Sequence, residues 1–520
     1  MIATRTGSEG SSPLDEDNSA PQGQAVSPLT AEIVVESLLT QNYLPQQASD
    51  RHEVPPSVTS VAFTPAIAAQ LSARGARPGG YDAAGYGLTR FDLTLRRAQI
   101  PHPLPYSRLV HEIGNDWNQL AIVADNQNST IRPMLHDDGR IVIMTGYDAS
   151  GLSETLDSRI AHMRLGKKYQ VRTDVKNFFP SIYTHSIPWA AVGVQFAKRN
   201  RGSGLWFNQL DARLRSCRRG ETSGIAIGPG SSNVFAELLL GSVDQALRAA
   251  GHEDFIRYID DYEYYAETEE SGRRFIEAVQ KHLARFELQL NDSKTAIRPL
   301  PMPMAEAWVR RLTNDDPGED ASAAQYRAYL GTAIELSAEQ GVGSAIQYAA
   351  GRLRTYSGPA SAVSLLAPEL IGVAEHRPRV FPTVVQILEA CGVDLLRYSE
   401  SIEVIVCEAI RRGRSDILAW GLHALMRSNS SLADEIKDLV IESRDGVAMA
   451  LVCASGQLTH EETDRMLSVY TSTPDDYARD QLWIVGLELA AVSDLRLADG
   501  LELLSDAGVS FVDRDVLRGY

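Results

Sequence analysis

The chain has 520 residues, of which 44% are hydrophobic and 22% are charged, and its formal net charge at pH 7 is −17. This balance is typical of a soluble globular protein, and the length exceeds that of one typical domain. Because no run of about 18 or more apolar residues occurs, the sequence excludes a membrane-spanning helix and predicts no membrane partner.

The N-terminal segment and the cysteines indicate the compartment. Residues 1–28 are rich in Ser, Gly, Pro and acids and lack the apolar core of a signal peptide, so we expect a disordered tail there. The cysteines have neither metal-ligand spacing nor a secretory context, which favours reduced buried thiols over disulfides or a zinc site. They are Cys217, Cys391, Cys407 and Cys453. Both observations predict a cytoplasmic protein.

The first structured elements precede any candidate site. A helix is predicted after Thr30 and leads into residues 41–45. Ile100 to Ser107 is interrupted by prolines, which predicts an extended stretch before a helix from Leu109 to Trp117.

A strand predicted from Tyr169 to Thr173 delivers a carboxylate, Asp174, to its end. Further on, Pro188 lies two residues beyond Ser186, a spacing that suits the first turn of a helix capped by that serine. We expect this helix to give Asp174 and Phe179 a rigid support.

A basic segment follows, in which Asp211 is the only acid. Phosphate groups of a substrate or product need such cations, but a solvated helical face has the same composition, and the sequence leaves both interpretations open. The basic residues are Lys198, Arg199, Arg201, Arg213, Arg215, Arg218 and Arg219. The excess of acid lies elsewhere, in the tail, in residues 314–320 and across the C-terminal half.

A glycine-rich turn, residues 224–233, comes next and opens an apolar helix predicted from Val234 to Leu247. Because glycine has no side chain, such a turn lets backbone amides approach a base or a phosphate. Gly228 and Ser232 are therefore candidate substrate-binding residues.

Asp260 and Asp261 lie between two runs of strand composition, Phe255 to Tyr258 and Tyr262 to Tyr265. This pattern predicts a tight β-turn with both carboxylates near one edge. Like charges at that distance repel each other, and a divalent metal ion would remove the repulsion. Taken alone, the pair is more simply explained as an ordinary turn, since aspartate is common in turns.

The carboxylate upstream changes that interpretation. A two-metal phosphoryl-transfer site holds two Mg²⁺ ions about 4 Å apart on shared acidic oxygens, and Asp174, Asp260 and Asp261 together supply them. After the turn, apolar residues at helical spacing predict a helix. They are Phe275, Val279, Leu283 and Phe286. Lys294 follows and is placed to protonate a leaving pyrophosphate.

Taken in order, these segments resemble the palm of reverse transcriptases over roughly residues 30 to 305. Asp174 matches the family's first metal-binding aspartate, residues 258–261 match its Tyr-x-Asp-Asp box, and Lys294 matches its downstream lysine. Residues 178–189 and 224–229 look more specifically like the bacterial abortive-infection polymerases and related antiphage defence reverse transcriptases.

The resemblance implies a nucleotidyltransferase that makes DNA from dNTPs in antiphage defence. The three aspartates would bind two Mg²⁺ ions, with Mn²⁺ as an alternative. Phe179 would be the aromatic steric gate that excludes a ribose 2′-OH, and Tyr258 would contact the substrate. In the fingers, Arg132 and Arg140 would either bind the triphosphate or be ordinary exposed arginines.

The glycine turn departs from the templated members of the family. Those carry Gln-Gly followed by Ser-Pro, whereas this chain carries Ile227 before Gly228 and Asn233 after Ser232. The missing glutamine normally helps to hold the incoming nucleotide against its template. The abortive-infection relatives make DNA without a template and start it on a protein hydroxyl, which predicts single-stranded DNA attached covalently to a tyrosine.

Two alternatives to that function stay open. The first is a templated RNA-directed DNA polymerase that copies a partner non-coding RNA in phage defence. The second is a scaffold with a relic palm, against which the intact acidic residues argue. For protein priming, Tyr43 and Tyr520 are candidate hydroxyls.

The C-terminal part has a different pattern. Beyond an acidic linker at residues 313–323, apolar clusters recur about every 20 residues at helical spacing. We expect fingers and palm over residues 29–312 and a HEAT-like α-helical domain over residues 324–520, with an irregular helical bundle as the alternative. The fold class is thus α/β plus all-α, Trp420 and Trp483 are predicted core residues, and a homo-oligomer is expected.

Overall fold

A computed structural model describes residues 29–45, 53–131, 133–141, 152–341, 343–428 and 430–519. The predicted tail, Arg132 and Tyr520 lie outside the described residues. No helix in the described part of the chain has the length and apolar composition that a membrane span requires.

The N-terminal part consists of short helices around one hairpin. Thr30 caps the first helix by accepting a hydrogen bond from the N–H of Ile33 at 3.3 Å. The hairpin is antiparallel, with Ala84 opposite Ile100. The elements are α1 (Ala31–Thr40), α2 (Pro65–Ser72), β1 (Ala84–Thr89), β2 (Leu95–Ile100), α3 (Pro103–Asn115), α4 (Trp117–Leu120) and α5 (Leu152–Arg164).

Helix α3 corrects one sequence prediction, because it begins at Pro103 where an extended stretch to Ser107 was expected. His102 is its N-cap, and its Nδ1 accepts a hydrogen bond from the N–H of Leu104 at 3.3 Å. Pro103 and Pro105 lie in the first turn, where backbone N–H groups have no partner within the helix. Proline therefore costs no hydrogen bond at these positions.

The central sheet has four strands in the order β4-β5-β3-β6, all antiparallel. Three of these strands confirm the sequence prediction, whereas β6 was missed. The strands are β3 (Tyr169–Asp174), β4 (Phe255–Tyr258), β5 (Asp261–Ala266) and β6 (Ala296–Pro299). The accompanying helices are α6 (Phe178–Ser181), α7 (Ser186–Val192), α8 (Val194–Arg199), α9 (Trp206–Ser216), α10 (Gly230–Ala249) and α11 (Glu269–Ala284).

Two helices support the sheet. Helix α11 buries Phe275, Val279 and Leu283 on one face, as predicted, and the rings of Phe275 and Tyr264 stack with centroids 4.3 Å apart. Helix α10 begins at Gly230, four residues before the predicted start, and is buried over most of its length. In α7 the predicted cap is wrong, because Ser186 is the first helical residue and its hydroxyl makes no capping bond.

The remaining helices form two stacked rows. Helices α13, α15, α17, α19 and α21 contact one another in succession, and so do α14, α16, α18, α20 and α23. Their bounds are α12 (Ala307–Asn314), α13 (Ala323–Gln340), α14 (Ser344–Gly351), α15 (Ala360–His376), α16 (Phe381–Ala390), α17 (Ser399–Arg412), α18 (Ser415–Arg427), α19 (Asp434–Ser443), α20 (Gly446–Ser455), α21 (His460–Thr471), α22 (Asp476–Asp480), α23 (Trp483–Ala490), α24 (Leu501–Asp506) and α25 (Arg514–Arg518). This pairing is the arrangement of a helix-pair solenoid, and the HEAT assignment itself stays a prediction.

The second row packs directly on the β1-β2 hairpin. The fully buried carboxylate of Asp416, in α18, accepts from the N–H of Thr89 at 2.8 Å and from its hydroxyl at 2.7 Å. In α23, the indole of Trp483 donates to the carbonyl of Ile100 at 3.4 Å. Trp420 and Trp483 are fully buried, which confirms them as core residues.

The acidic linker is also packed against its neighbours. Asp316 pairs with Arg352 at 2.7 Å, and the carbonyl of Glu319 accepts from the N–H of Ser357 at 2.8 Å. One continuous hydrophobic core runs from Val34 to Leu517. The predicted domain boundaries therefore mark changes of composition along the chain and cross a shared core.

Candidate active site

The sheet brings the predicted acidic residues together at the end of two neighbouring strands. Asp174 is the last residue of β3 and Asp261 the first of β5, and their Cα atoms are partners in the antiparallel register. Asp260 lies in the two-residue turn between β4 and β5. The N–H of Val175 donates to the carbonyl of Asp260 at 3.1 Å, which ties the turn to β3.

The turn that carries Asp260 is conformationally strained. Ile259, its first residue, has φ of +54°, in the left-handed region that β-branched residues rarely adopt. Such conformations persist only where the surroundings hold them, and they are concentrated at functional sites. Here Nη1 of Arg257 donates to the carbonyl of Ile259 at 2.7 Å.

Burial, together with repulsion between the carboxylates, makes the turn a favourable place for positive charge. Burial raises the pKa of Asp260 to about 6, and the charge of Asp174 raises it as well. Desolvation also raises the pKa of Asp261 to about 7, together with a hydrogen bond to Asp174 and the charges of Asp260 and Asp174. Asp261 is exposed as a residue, but its carboxylate is crowded by the other two. The site holds more negative charge than its surroundings neutralise.

Lys294 supplies one positive charge to this site. It ends a 3-10 turn, and its ammonium group contacts the carboxylate of Asp174. This hydrogen bond raises the pKa of Lys294, and the charges of the three aspartates add to the effect. Its side chain is 61% exposed, so it can leave the carboxylate at little cost in packing. Asn291 fixes the same aspartate by donating from its N–H to the Asp174 carbonyl at 2.8 Å.

The ligand chemistry fits a hard divalent cation. Carboxylate oxygens are what Mg²⁺ prefers, and the raised pKa values of Asp260 and Asp261 indicate charge that a cation would neutralise. Among the described residues, however, no three acidic, histidine or cysteine side chains form a ready-made metal site. Binding would thus require the carboxylates to reorient and Lys294 to move off Asp174.

A buried ion network that the sequence analysis missed supports the turn. Arg257 is fully buried, and its guanidinium binds Glu237 at 2.8 and 2.9 Å and Asp244 at 2.8 Å, both on α10. Burial alone would lower the pKa of Arg257, but the charges of Asp244 and Glu237 raise it well above its usual value. Two acids seven residues apart on an apolar helix were the signal in the sequence.

A second missed residue is Arg96, on β2. It is partly buried, and its positive charge opposes the rise in the pKa of Asp260. The β1-β2 hairpin therefore places a cation beside the acidic turn. From the sequence, Arg132 and Arg140 were the candidates for this role, with ordinary exposed arginines as the alternative. Arg140 is buried and pairs with Asp138, so it is not an exposed arginine.

The other predicted substrate residues are buried or partly buried. Tyr258 ends β4 and is the Cα partner of Asp261. Phe179 is 5% exposed and contacts Phe178, with ring centroids 5.2 Å apart. Ser232 is 2% exposed, in the first turn of α10. Their roles in binding stay predictions.

The glycine-rich turn packs closely against the N-terminal segment, and its role in binding a substrate stays a prediction. Gly228 has φ of +131°, and a Cβ there would lie 2.8 Å from the Cβ of Pro45. Gly230 is equally confined, because a Cβ would lie 2.7 Å from that of Asn42 and its N–H donates to the Asn42 carbonyl at 2.6 Å. The N-terminal segment occupies the space that the missing side chains leave.

The structure also decides one candidate for priming. Tyr43 is fully buried, and its hydroxyl donates to the carbonyl of Pro101. It is not a reachable hydroxyl in this conformation, because Asn42 and Pro45 hold its segment against the glycine turn.

A family model described as reverse transcriptase (RNA-dependent DNA polymerase) matches residues 124–333. The chain contains a reverse transcriptase domain. The matched range includes the acidic turn, β3 and Lys294, and it indicates a nucleotidyltransferase, an RNA-directed DNA polymerase. It begins after the β1-β2 hairpin and ends inside α13, beyond the predicted boundary at residue 312.

Solved structures of telomerase show weak overall similarity to the chain. Apo telomerase from Candida tropicalis is 8% identical with a TM-score of 0.33, covering 82% of this chain and 76% of that one. Telomerase from Candida albicans in complex with a TWJ fragment of telomeric RNA is 10% identical with a TM-score of 0.29, covering 78% of this chain and 66% of that one. No curated protein matches the sequence.

The first prediction concerns pH. Folding raises the pKa of Asp260 from 3.8 to about 6 and that of Asp261 from 3.8 to about 7. Between pH 3.8 and about pH 7, the folded protein therefore binds more protons than the unfolded chain. Without divalent metal, the Tm should therefore fall as the pH rises from about 5 to about 7.5. Asp261→Asn should flatten this dependence, and exposed Asp292→Asn should not. Equal pH profiles of the two variants in thermal unfolding would contradict the assignment.

The second prediction concerns Arg257. Arg257→Met should lower the free energy of unfolding by about 3–5 kcal/mol, because it leaves two buried carboxylates without a partner. The control is Arg273→Met, which removes an exposed ion pair with Glu269 and should cost under about 1 kcal/mol. Urea unfolding of both variants measures the difference. Similar losses would show that the buried network does not hold the turn.

Proposed function

We propose that the chain is a DNA polymerase that transfers nucleotides from dNTPs by two-metal chemistry. The observation that carries this function is the convergence of Asp174, Asp260 and Asp261, with raised pKa values at the last two, in a reverse transcriptase domain. These carboxylates would hold two Mg²⁺ ions, or Mn²⁺. The metals would supply activation of the attacking hydroxyl and stabilisation of the leaving pyrophosphate.

The chain's own cations have matching roles. Arg96 lies on the hairpin beside Asp260, where it would bind triphosphate oxygens. Lys294 keeps its proton, since its raised pKa leaves the ammonium intact at neutral pH. It would therefore be able to give that proton to the pyrophosphate as the bond breaks, after leaving Asp174.

We infer further that synthesis is template-independent and starts on a protein hydroxyl. The sequence supports this, since Ile227 replaces the glutamine that templated relatives use. Packing supports it as well, because the carbonyl of Ile227 accepts from the N–H of Gln99 at 2.8 Å and Pro45 covers Gly228. Contacts within the protein thus already occupy the part of the turn that a templated nucleotide would contact.

The alternative is templated synthesis on a partner non-coding RNA. It is favoured by the description of the matching family, whose members are RNA-dependent DNA polymerases. Both functions use the same aspartates and differ in what directs nucleotide choice.

The third prediction separates these two functions. Nuclease-treated enzyme is incubated with Mg²⁺ and labelled dNTPs, denatured, and separated on a protein gel. Protein priming predicts label that moves with the polypeptide and is released by protease. Asp260→Asn with Asp261→Asn is the matched inactive control. Labelled DNA that runs free of protein, with one sequence that depends on a co-purifying RNA, would establish the alternative.

The fourth prediction tests the steric gate. Phe179→Ala should admit ribonucleotides, because it removes the bulk expected to face the 2′-OH. Phe178→Ala is a close control, since that ring is 3% exposed and adjacent. Single-nucleotide incorporation with dATP and ATP measures the preference. An unchanged preference in Phe179→Ala, or the same change in both variants, would contradict the assignment.

The fifth prediction concerns the role in cells, where we propose antiphage defence. Cells that carry the Asp260→Asn and Asp261→Asn variant should lose protection against phage, because protection requires DNA synthesis. Plaque counts compare the variant with the unaltered chain at equal expression. Full protection by the variant would favour a scaffolding role for the domain.

A further inference from the structure

A cleft of about 780 Å³ lies between α7, α8 and α9. Its lining includes Tyr183, His185, Trp189, Lys198 and Arg201, none of which belongs to the acidic turn. Part of its lining comes from the basic segment of residues 198–219. For that segment, the sequence left two interpretations open, a phosphate-binding site and a solvated helical face. Its volume is within the range of about 300–1,000 Å³ that is usual for small-molecule sites.

Two of its cations are available to a ligand. Lys198 and Arg201 are exposed, and among the described residues neither forms an ion pair with a carboxylate. By contrast, Arg213 lies 3.7 Å from Glu112, and Arg215 lies 3.4 Å from Asp211. Pairing thus neutralises the arginines of α9 and leaves the positive charge of the cleft on Lys198 and Arg201.

Aromatic rings line the cleft beside these cations. The centroids of Tyr183 and Trp189 are 5.7 Å apart, and those of Tyr183 and His185 are 4.9 Å apart, both in edge-to-face geometry. The ammonium of Lys198 lies 4.8 Å from the centroid of Trp189. Aromatic rings next to cations are the combination that holds a base and its phosphate together.

A buried carboxylate fixes the orientation of His185. Asp211 is 5% exposed, and its Oδ2 lies 2.7 Å from Nδ1 of the imidazole. Its other oxygen, Oδ1, has no hydrogen-bond partner and faces Arg215 only at 3.4 Å. An ordinary solvated helix face does not need a buried acid to orient a histidine, so the arrangement favours a binding site.

We propose that this cleft binds a nucleotide unit, with the base against the aromatic rings and the phosphate on Lys198 and Arg201. The unit could come from a nucleic-acid strand or from a free nucleoside triphosphate, which present the same chemistry. This inference extends the polymerase function proposed above, but it concerns binding and can be tested without catalysis.

The test uses the full-length chain with a fluorescent single-stranded DNA of 12 nucleotides, about the length that one small domain covers. Anisotropy titrations compare two double variants. One carries Lys198→Glu and Arg201→Glu, and the control carries Lys281→Glu and Arg285→Glu, an equal charge change at exposed positions in the last turn of α11 and directly after it. We expect the first pair to lower affinity at least about tenfold and to reduce the salt slope by about 1.4, as two phosphate contacts on a single strand predict. Trp189→Ala should lower affinity about 5- to 100-fold.

Two further measurements identify the source and the place. Competition with unlabelled dATP distinguishes a free nucleotide, which should displace the oligonucleotide only if the cleft takes single nucleotides. Photocrosslinking with a 5-iododeoxyuridine oligonucleotide should label the peptide that contains Tyr183 or Trp189. Equal affinities of the two charge-reversal pairs, with crosslinks only outside the cleft, would overturn the proposal. If the unaltered chain binds the oligonucleotide in the cleft but incorporates no dNTP, the proposed polymerase function is wrong and the proposed nucleotide site is supported.

Discussion

The buried pairing of Arg257 with Glu237 and Asp244 is the constraint on which the candidate active site depends. The acidic turn is unfavourable in itself, since it combines a left-handed Ile259 with carboxylates that repel one another. Arg257 lies two residues before the first residue of the turn, donates a hydrogen bond to the Ile259 carbonyl, and is anchored to α10 through both acids. The longest buried helix thereby fixes the position of Asp260 and Asp261 relative to Asp174.

The N-terminal hairpin completes the site and depends in turn on the C-terminal helices. Strand β2 carries Arg96 towards Asp260, while β1 is bound by Asp416 at the start of α18. Since one hydrophobic core joins these parts, the helical rows act as a support for the hairpin. This arrangement gives the C-terminal helices a structural role beside the candidate active site.

Local patterns made much of the fold predictable. Alternating aromatic and β-branched runs predicted β3, β4 and β5, and apolar spacing predicted α11 and the C-terminal helices. The helix at Pro103 was missed because proline in a first turn has the same local composition as an extended stretch. The acidic turn and Lys294 were predicted together because their order resembles a known family.

Contacts between segments that are distant in sequence could not be predicted from local patterns. Arg257 appeared as one residue of a strand, and only the packing of α10 on that strand shows its two acidic partners. The sequence also did not show that the glycines of the turn pack against Asn42 and Pro45, almost 200 residues earlier in the sequence. In both cases the deciding contact joins segments that are distant in sequence.

Metal binding is the decisive measurement, because the proposed chemistry needs Asp174, Asp260 and Asp261 to act as one cation site. Electron paramagnetic resonance of Mn²⁺, titrated into the chain with dATP present, counts the bound ions. We expect two bound ions per chain. Both should be lost in Asp174→Asn and in the double variant Asp260→Asn with Asp261→Asn, and both should be retained in Asp292→Asn. The same number of ions bound with the same affinity in all of these variants would contradict the proposed chemistry.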